Sequence, residues 1–422
     1  MAIVKPFKGF RPPQTIAADL ACLPYDVMNS EEAAQMAAGK ACSLLHITRA
    51  EIDCPDGTDI HSEEVYLKSV ENFKRFQSNG WLVKEPEARF YIYAQTMNGR
   101  TQYGIVGAAS CDDYHNGVIK KHELTRPDKE EDRMVLTRYL NANIEPVFFS
   151  YRAVPEIDAI VDKIVKNQPA DYDFVAEDGF GHHFWTIYDP LTNVRLEKLF
   201  AAKVPATYVA DGHHRTAAAA RIGLEKKAQN PNHTGDEEYN FFMAVHFPGN
   251  QLKIIDYNRL VKDLNGLDDE EFIQKLSRDF DVEQVGGEIY KPSKLHEFSM
   301  YLSGSWYRLL AKAGTYKDND PIGVLDVTIL SGLVLDRILG IEDLRTSTRI
   351  DFVGGIRGLG ELERRVDSGE MKVAFALFPV SMKQLINIMN RVLNSLFICN
   401  RLMGLNISRL ILMKSFSRKC SC

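Results

Sequence analysis

The chain has 422 residues, 45% of them hydrophobic and 26% charged, with a formal net charge of −6. That length exceeds what one hydrophobic core usually supports, so more than one domain is expected. The acidic balance argues against a nucleic-acid partner, whose binders usually carry a basic face, and no charge-free run of about 18 apolar residues predicts a membrane span.

Two features of the termini and the cysteines refine this. The opening MAIVKPFKGFRPP lacks the apolar stretch of a signal peptide, and the seven cysteines are scattered without a CxxC pair. Neither a disulfide framework nor a zinc ribbon is expected, and a reducing cytoplasm fits best. Residues 381 to 422 hold seven Lys or Arg and no Asp or Glu, leaving −13 on the preceding 380.

In chain order, Pro6 to Pro24 reads as strand and loop. Ser30 to Gly39 has a serine at its start, acids in the first turn and a glycine stop, which predicts a helix capped by Ser30. Glu63 to Gly80 places Val65, Leu67, Val70, Phe73 and Phe76 near helical spacing. Arg89 to Gln95 and Gly104 to Ser110 are strand-like, with Asn98-Gly99 as a hairpin turn. Glu130 to Asn141 and Glu156 to Asn167 predict helices, and Val147 to Tyr151 and Gly181 to Tyr188 predict strands. Val204 to Ala210, the polar loop Asp211 to Arg215 and an alanine-rich run form a strand, tight loop and helix. Further strands are expected at Tyr239 to Phe247 and Leu252 to Tyr257, then a mixed helical region to about residue 365, then a strand at Val373 to Pro379.

The strongest site candidate is the loop Asp211, Gly212, His213, His214 and Arg215. A glycine at a strand-to-helix turn admits an anion to the N–H groups of the first helical turn. Arg215 carries a planar fork suited to phosphate oxygens, and the histidines donate to phosphate or act as acid and base. Asp211 is the residue to orient a histidine or hold a metal through oxygen. The competing reading is an Asp that caps a helix, with histidines satisfied by backbone. A second cluster, KKHELTRPDKEEDR, offers Glu123 as a general base beside His122, with Lys121 and Arg126 to balance substrate charge. Asp128 to Glu131 also fit as ordinary acids at a helix start. In the third cluster Tyr25 and Asp26 either form a turn or contact substrate. Adjacent His182 and His183 would point to opposite faces of a strand, and RIDFVGGIRG (349–358) is an unspecific anion-loop candidate. No GxxxxGK[ST], DFG or HExxH is present.

PFKGFRPP, LPYDV, KKHELTRPDKEEDR, YVADGHHRTAAAA, YNRLVKD and RIDFVGG occur in the order seen in the domain of unknown function 1015 family, which the chain resembles over roughly residues 1 to 385. That family looks similar to the ParB/sulfiredoxin-like superfamily, in which a Gly-x-x-Arg-type loop at a helix N-terminus binds nucleotide phosphates and some members are free-serine kinases. The resemblance implies an α+β fold with a mixed-sheet nucleotide-binding core and an additional α/β region. It implies three segments: 1–255 with the Asp211–Arg215 loop, 256–385, and an atypical basic tail at 386–422, expected to be aberrant or poorly packed because members usually close differently. It also implies a small-molecule kinase using Mg²⁺ and ATP or ADP, with free L-serine as leading acceptor and O-phosphoserine as product. A non-catalytic nucleotide switch and a phosphoester hydrolase are the alternatives. The expected partners are a nucleotide and a small substrate, and neither nucleic acid nor membrane. The metal ligands stay unassigned.

Overall fold

The computed structural model describes residues 1–121, 125, 127–252, 254–320, 322–344, 346–381, 384 and 413–416. It comprises two compact units, one formed by residues 1–252 with 413–416 and one by 254–381.

The first unit runs β1 (Val4–Lys5), β2 (Gly9–Arg11), α1 (Ala17–Leu20), α2 (Ser30–Ala37), α3 (Leu45–Thr48), α4 (Glu63–Ser78), β3 (Val83–Lys84), β4 (Tyr91–Met97), β5 (Arg100–Ser110), α5 (Cys111–His115), β6 (Ile119–Lys120) and α6 (Pro127–Leu140). It continues through β7 (Ala142–Asn143), β8 (Val147–Tyr151), α7 (Pro155–Asn167), β9 (Tyr172–Val175), β10 (Gly181–Thr186), α8 (Pro190–Lys203), β11 (Thr207–Asp211), α9 (His213–Gln229) and β12 (Phe241–Pro248). Its main sheet has the order β6-β11-β8-β12-β5-β4-β10-β9, with β1 on β5. The pairs β6–β11 and β8–β12 are parallel and the others antiparallel, so the sheet is mixed.

Strand alternation explains how this sheet is covered. Ile92, Ala94 and Ile105 meet Ile157, Ile160, Val161 and Ile164 of α7 and Leu196 and Phe200 of α8. Each such large side chain, fully buried, contributes about 1.5–3 kcal/mol. Small residues let α9 sit close, with Ala219 packed among Val147, Phe149, Val209 and Phe242. The β4–β5 hairpin closes through Asn98 and Gly99 at φ 51° and 73°, the positive-φ pair that a two-residue turn requires. Helix α2 is capped by Asn29, not by Ser30: Asn29 accepts from the Glu32 N–H while Glu32 reaches back, forming a capping box.

Within the basic tail, β19 (Met413–Ser415) pairs with β2 and β7, and Phe416 packs beside Met134, Ala218 and Ile222. Lys414 is 1% exposed and bonds to the Glu238 carboxylate at 2.8 Å. Met413, Lys414 and Phe416 are buried; the rest of the tail, apart from the backbone of Ser415, lies outside the described residues.

The second unit holds β13 (Tyr257–Val261), α10 (Asp269–Leu276), β14 (Phe280–Gly286), β15 (Glu297–Leu302), β16 (Ser305–Ala311), α11 (Asp326–Leu330), β17 (Ile350–Gly354), α12 (Gly360–Asp367) and β18 (Val373–Leu377). All pairs in its sheet, β14-β16-β15-β18-β13-β17, are antiparallel. Two expectations are corrected here. The strand expected at Leu252 to Tyr257 runs instead from Tyr257 to Val261, where the buried polar residues Asn258 and Arg259 mask it in the sequence. The mixed helical region to residue 365 contains β14 to β17. Every residue of β15 is buried, which erases the alternation that marks a half-exposed strand. Among the described residues no helix is long and apolar enough to cross a membrane.

Candidate functional site

Topology gathers the motif blocks at one edge of the main sheet. β11 ends at Asp211, and β6 runs parallel beside it with Ile119 opposite Thr207 and Lys120 opposite Tyr208. Both strands therefore deliver what directly follows them, the Asp211–Arg215 loop and Lys121, at the same end. β8 is antiparallel to β11, so its start, after Glu145 and Pro146, also lies there.

The loop itself is a strand-to-helix turn. Gly212 adopts φ 83° and ψ 37° as the cap residue of the 17-residue helix α9. A Cβ at Gly212 would stand 3.3 Å from the Arg215 guanidinium, so glycine serves both the backbone angle and the side chain folded over it. Arg215 is 8% exposed and its fork is occupied: Nη1 donates to the Pro146 carbonyl at 2.7 Å and Nη2 to Asp211 Oδ2 at 2.8 Å. His213 is buried and His214 half-buried.

The Glu145-Pro146 dipeptide couples this loop to the third motif. While Pro146 accepts from Arg215, Glu145 Oε1 accepts from the Tyr25 N–H at 3.0 Å. The Arg133 guanidinium lies 3.7 Å from the centre of the Tyr25 ring, a cation–π contact. Burial works against the Arg133 charge, but Asp132, Tyr25 and Glu145 outweigh it and hold its pKa raised. Arg49 donates to the Tyr25 carbonyl at 3.3 Å and pairs with Glu51 at 2.9 Å.

These side chains wall a cleft of about 530 Å³ lined by Tyr25, Thr48, Arg49, His61, Tyr66 and Arg133, among others. A smaller cavity of about 40 Å³, large enough for a water or two, lies between Arg133, Glu145 and Arg215 and shares Thr48 with the cleft. Thr48 is 4% exposed and its buried hydroxyl has no partner among the described residues. An unpartnered buried hydroxyl costs about 1–3 kcal/mol.

The sequence candidates distribute unevenly around this frame. Arg215 and Tyr25 are joined through Glu145-Pro146, with Asp211 and Gly212 beside Arg215. Lys121 stands 4.2 Å from the centre of the Tyr114 ring. His122, Glu123 and Arg126 lie outside the described residues, as does the side chain of Asp26. His182 and His183 do take separate environments: His182 is buried against the Tyr93 hydroxyl at 2.8 Å, and His183 meets Asp173 at 2.9 Å. Among the described residues no group of three His, Cys, Asp or Glu side chains could hold a metal. Arg349 of the anion-loop candidate pairs with Asp263. Sequence reading missed Thr48, Arg49 and Glu145, and gave no role to Arg133, the last residue of the second cluster. Arg49 and Glu51 interrupt an apolar stretch, which was a usable signal; Glu145 carried none.

The model of a family described as protein of unknown function (DUF1015) matches residues 4–328. No curated protein matches the sequence. Among solved structures, a free serine kinase in complex with AMP is 11% identical, over 68% of this chain and 82% of its own, with a TM-score of 0.30. SbnI with C-terminal truncation from Staphylococcus aureus is 10% identical over 75% and 84%, with a TM-score of 0.33. A conserved hypothetical protein from Pyrococcus furiosus is 12% identical over 68% and 85%, with a TM-score of 0.26. At those TM-scores the likenesses decide neither ligand nor reaction.

Proposed function

This chain belongs to the DUF1015 family of proteins of unknown function, and from that premise we propose that it is a nucleotide-dependent phosphotransferase acting on a small hydroxylated metabolite. L-Serine, giving O-phosphoserine, is the leading acceptor, and the cytoplasm the expected setting. The observation that carries the proposal is the coupling of the Asp211–Arg215 loop to Tyr25 through Glu145-Pro146, beside a cleft walled by Arg49 and Arg133. Phosphoryl transfer asks a protein mainly for positioning and for positive charge around the transferring group. A volume of about 530 Å³ lies in the range of small-molecule sites.

In this reading the first turn of α9 and Arg215 bind nucleotide phosphate. Phosphate oxygens compete with Asp211 for Arg215 Nη2, while Nη1 keeps its bond to Pro146. Lys121 and Arg126 balance substrate charge, and Tyr25 and Asp26 sit by the acceptor. Asp211 would hold Mg²⁺ together with nucleotide phosphate oxygens, as one or two carboxylates commonly do. When bound the ion neutralises charge on the phosphates. Glu123 is the sequence candidate for taking the hydroxyl proton, with His122 beside it.

Phosphorus NMR of the full chain with Mg²⁺ and ATP or ADP, with and without L-serine, tests the proposal. The expected result is a phosphomonoester signal that requires serine. Nucleotide binding without product would remove serine as acceptor and favour a nucleotide switch. Phosphate release from a phosphoester without nucleotide would mark a hydrolase instead.

A further inference from the structure

The cleft contains an acid–base group that the motif blocks do not include. His61 lies just before α4 and lines the cleft, with its side chain 59% exposed. Its position is held twice: its backbone N–H donates to Asp59 Oδ1 at 3.0 Å, and its ring Nδ1 lies 2.8 Å from Asp132 Oδ1. Asp132 is itself anchored, accepting from the Tyr66 hydroxyl at 2.8 Å and from Arg133 Nε at 2.8 Å. Burial pushes the Asp132 carboxyl up, but Arg133, Tyr66 and His61 prevail and hold it below its usual range. An ionised carboxylate only accepts hydrogen bonds, so the shared proton resides on Nδ1 and the neutral ring keeps Nε2 as an acceptor. Second-partner control of this kind sets which nitrogen of a histidine is basic.

We propose that His61 is the catalytic base of this cleft, oriented by Asp132 as a positioning residue, and that it takes the role the sequence offers to Glu123. The assignment rests on the phosphotransferase reading. The acceptor O–H bond breaks and its proton passes to His61 Nε2. The acceptor oxygen forms a bond to the terminal phosphorus of a nucleoside di- or triphosphate. The bridging P–O bond breaks, and the shortened nucleotide leaves with its electron pair. His61 then releases the proton to solvent. The His61 segment contacts Asp59 and Asp132, Tyr66 and Arg133 bond to Asp132, and the cleft is also lined by Glu131 and by Glu51, which pairs with Arg49.

The test uses the full chain with Mg²⁺, ADP or ATP, and L-serine, with product followed by phosphorus NMR and nucleotide affinity by calorimetry. His61→Gln should lower turnover by roughly 10²–10⁴-fold while nucleotide affinity stays within about threefold of the unmodified chain, well under one decade of the binding constant. Added imidazole should restore part of the turnover of His61→Ala, which a structural role would not allow. Asp132→Asn should lower kcat more than it raises KM and gain nothing from imidazole. His61 variants with turnover close to the unmodified chain, or His61→Ala without imidazole rescue, would overturn the base assignment and leave the phosphotransferase reading standing. An unmodified chain that forms no phosphorylated product ends both.

Discussion

Arg215→Ala separates a phosphate clamp from a structural staple. In the structure the guanidinium is 8% exposed and donates to the Pro146 carbonyl and to Asp211. Loss of a charged donor to a carbonyl costs about 1.5–3 kcal/mol. The Asp211 contact adds less, about 0–1 kcal/mol, because that carboxylate is 41% exposed and screened by water. The first unit should therefore lose about 1.5–4 kcal/mol, which is roughly a 13- to 900-fold change in its unfolding equilibrium. Hydrogen exchange with mass-spectrometric readout suits a chain of two units, since peptides of β8 and β11 report on the first and peptides of β15 and β18 serve as control. Exchange in β8 and β11 should accelerate by that factor while the control stays unchanged. An acceleration of less than about threefold in a folded variant, about 0.6 kcal/mol, would refute the staple. Nucleotide affinity in the same variant then tells whether Arg215 also serves phosphate.

Gly212→Ala should destabilise the first unit by about 1–2 kcal/mol, because φ 83° is unfavourable for a residue with a Cβ; Gly212→Asn should lose less, and thermal melts compare them. His246 is fully buried between Phe149 and Phe200 with neither ring nitrogen partnered, and burial pushes it down to about 3 from 6.5. Between those values the unfolded chain binds a proton that the folded one refuses, so stability falls as pH drops below 6.5, by about 1.4 kcal/mol per unit. His246→Leu should flatten that slope, as pH-dependent denaturation of the two proteins would show. Burial pushes Asp326, in the second unit, up to about 7 from 3.8. Here the folded chain holds the extra proton, so stability is lost as pH rises through that window, by up to about 4 kcal/mol. Asp326→Asn keeps an acceptor for the His296 N–H, which stands 3.0 Å away, and should stabilise the second unit at pH 8. An unchanged exchange rate in β15 at that pH would count against it.

Local composition was sufficient for much of the first unit. The helices α4 and α7 follow from apolar spacing, because each buries one face and solvates the other; α9 follows from its alanine-rich run and the β4–β5 hairpin from Asn98-Gly99. The strand, glycine turn and helix around Asp211 to Arg215 were equally legible, since only glycine is at ease at that φ. Elements buried on all sides, such as β15, carry no periodicity to read. Nor does sequence tell where a fork of hydrogen-bond donors will be used: Arg215 is spent on Pro146, 69 positions away, and Tyr25 meets Glu145 across 120. His61 and Asp132 likewise become partners only when α4 and α6 pack together. Spacing along the chain records what a residue's own helix or strand requires. Contacts between distant segments depend on which strands pair and in which direction, and that was settled by the fold as a whole.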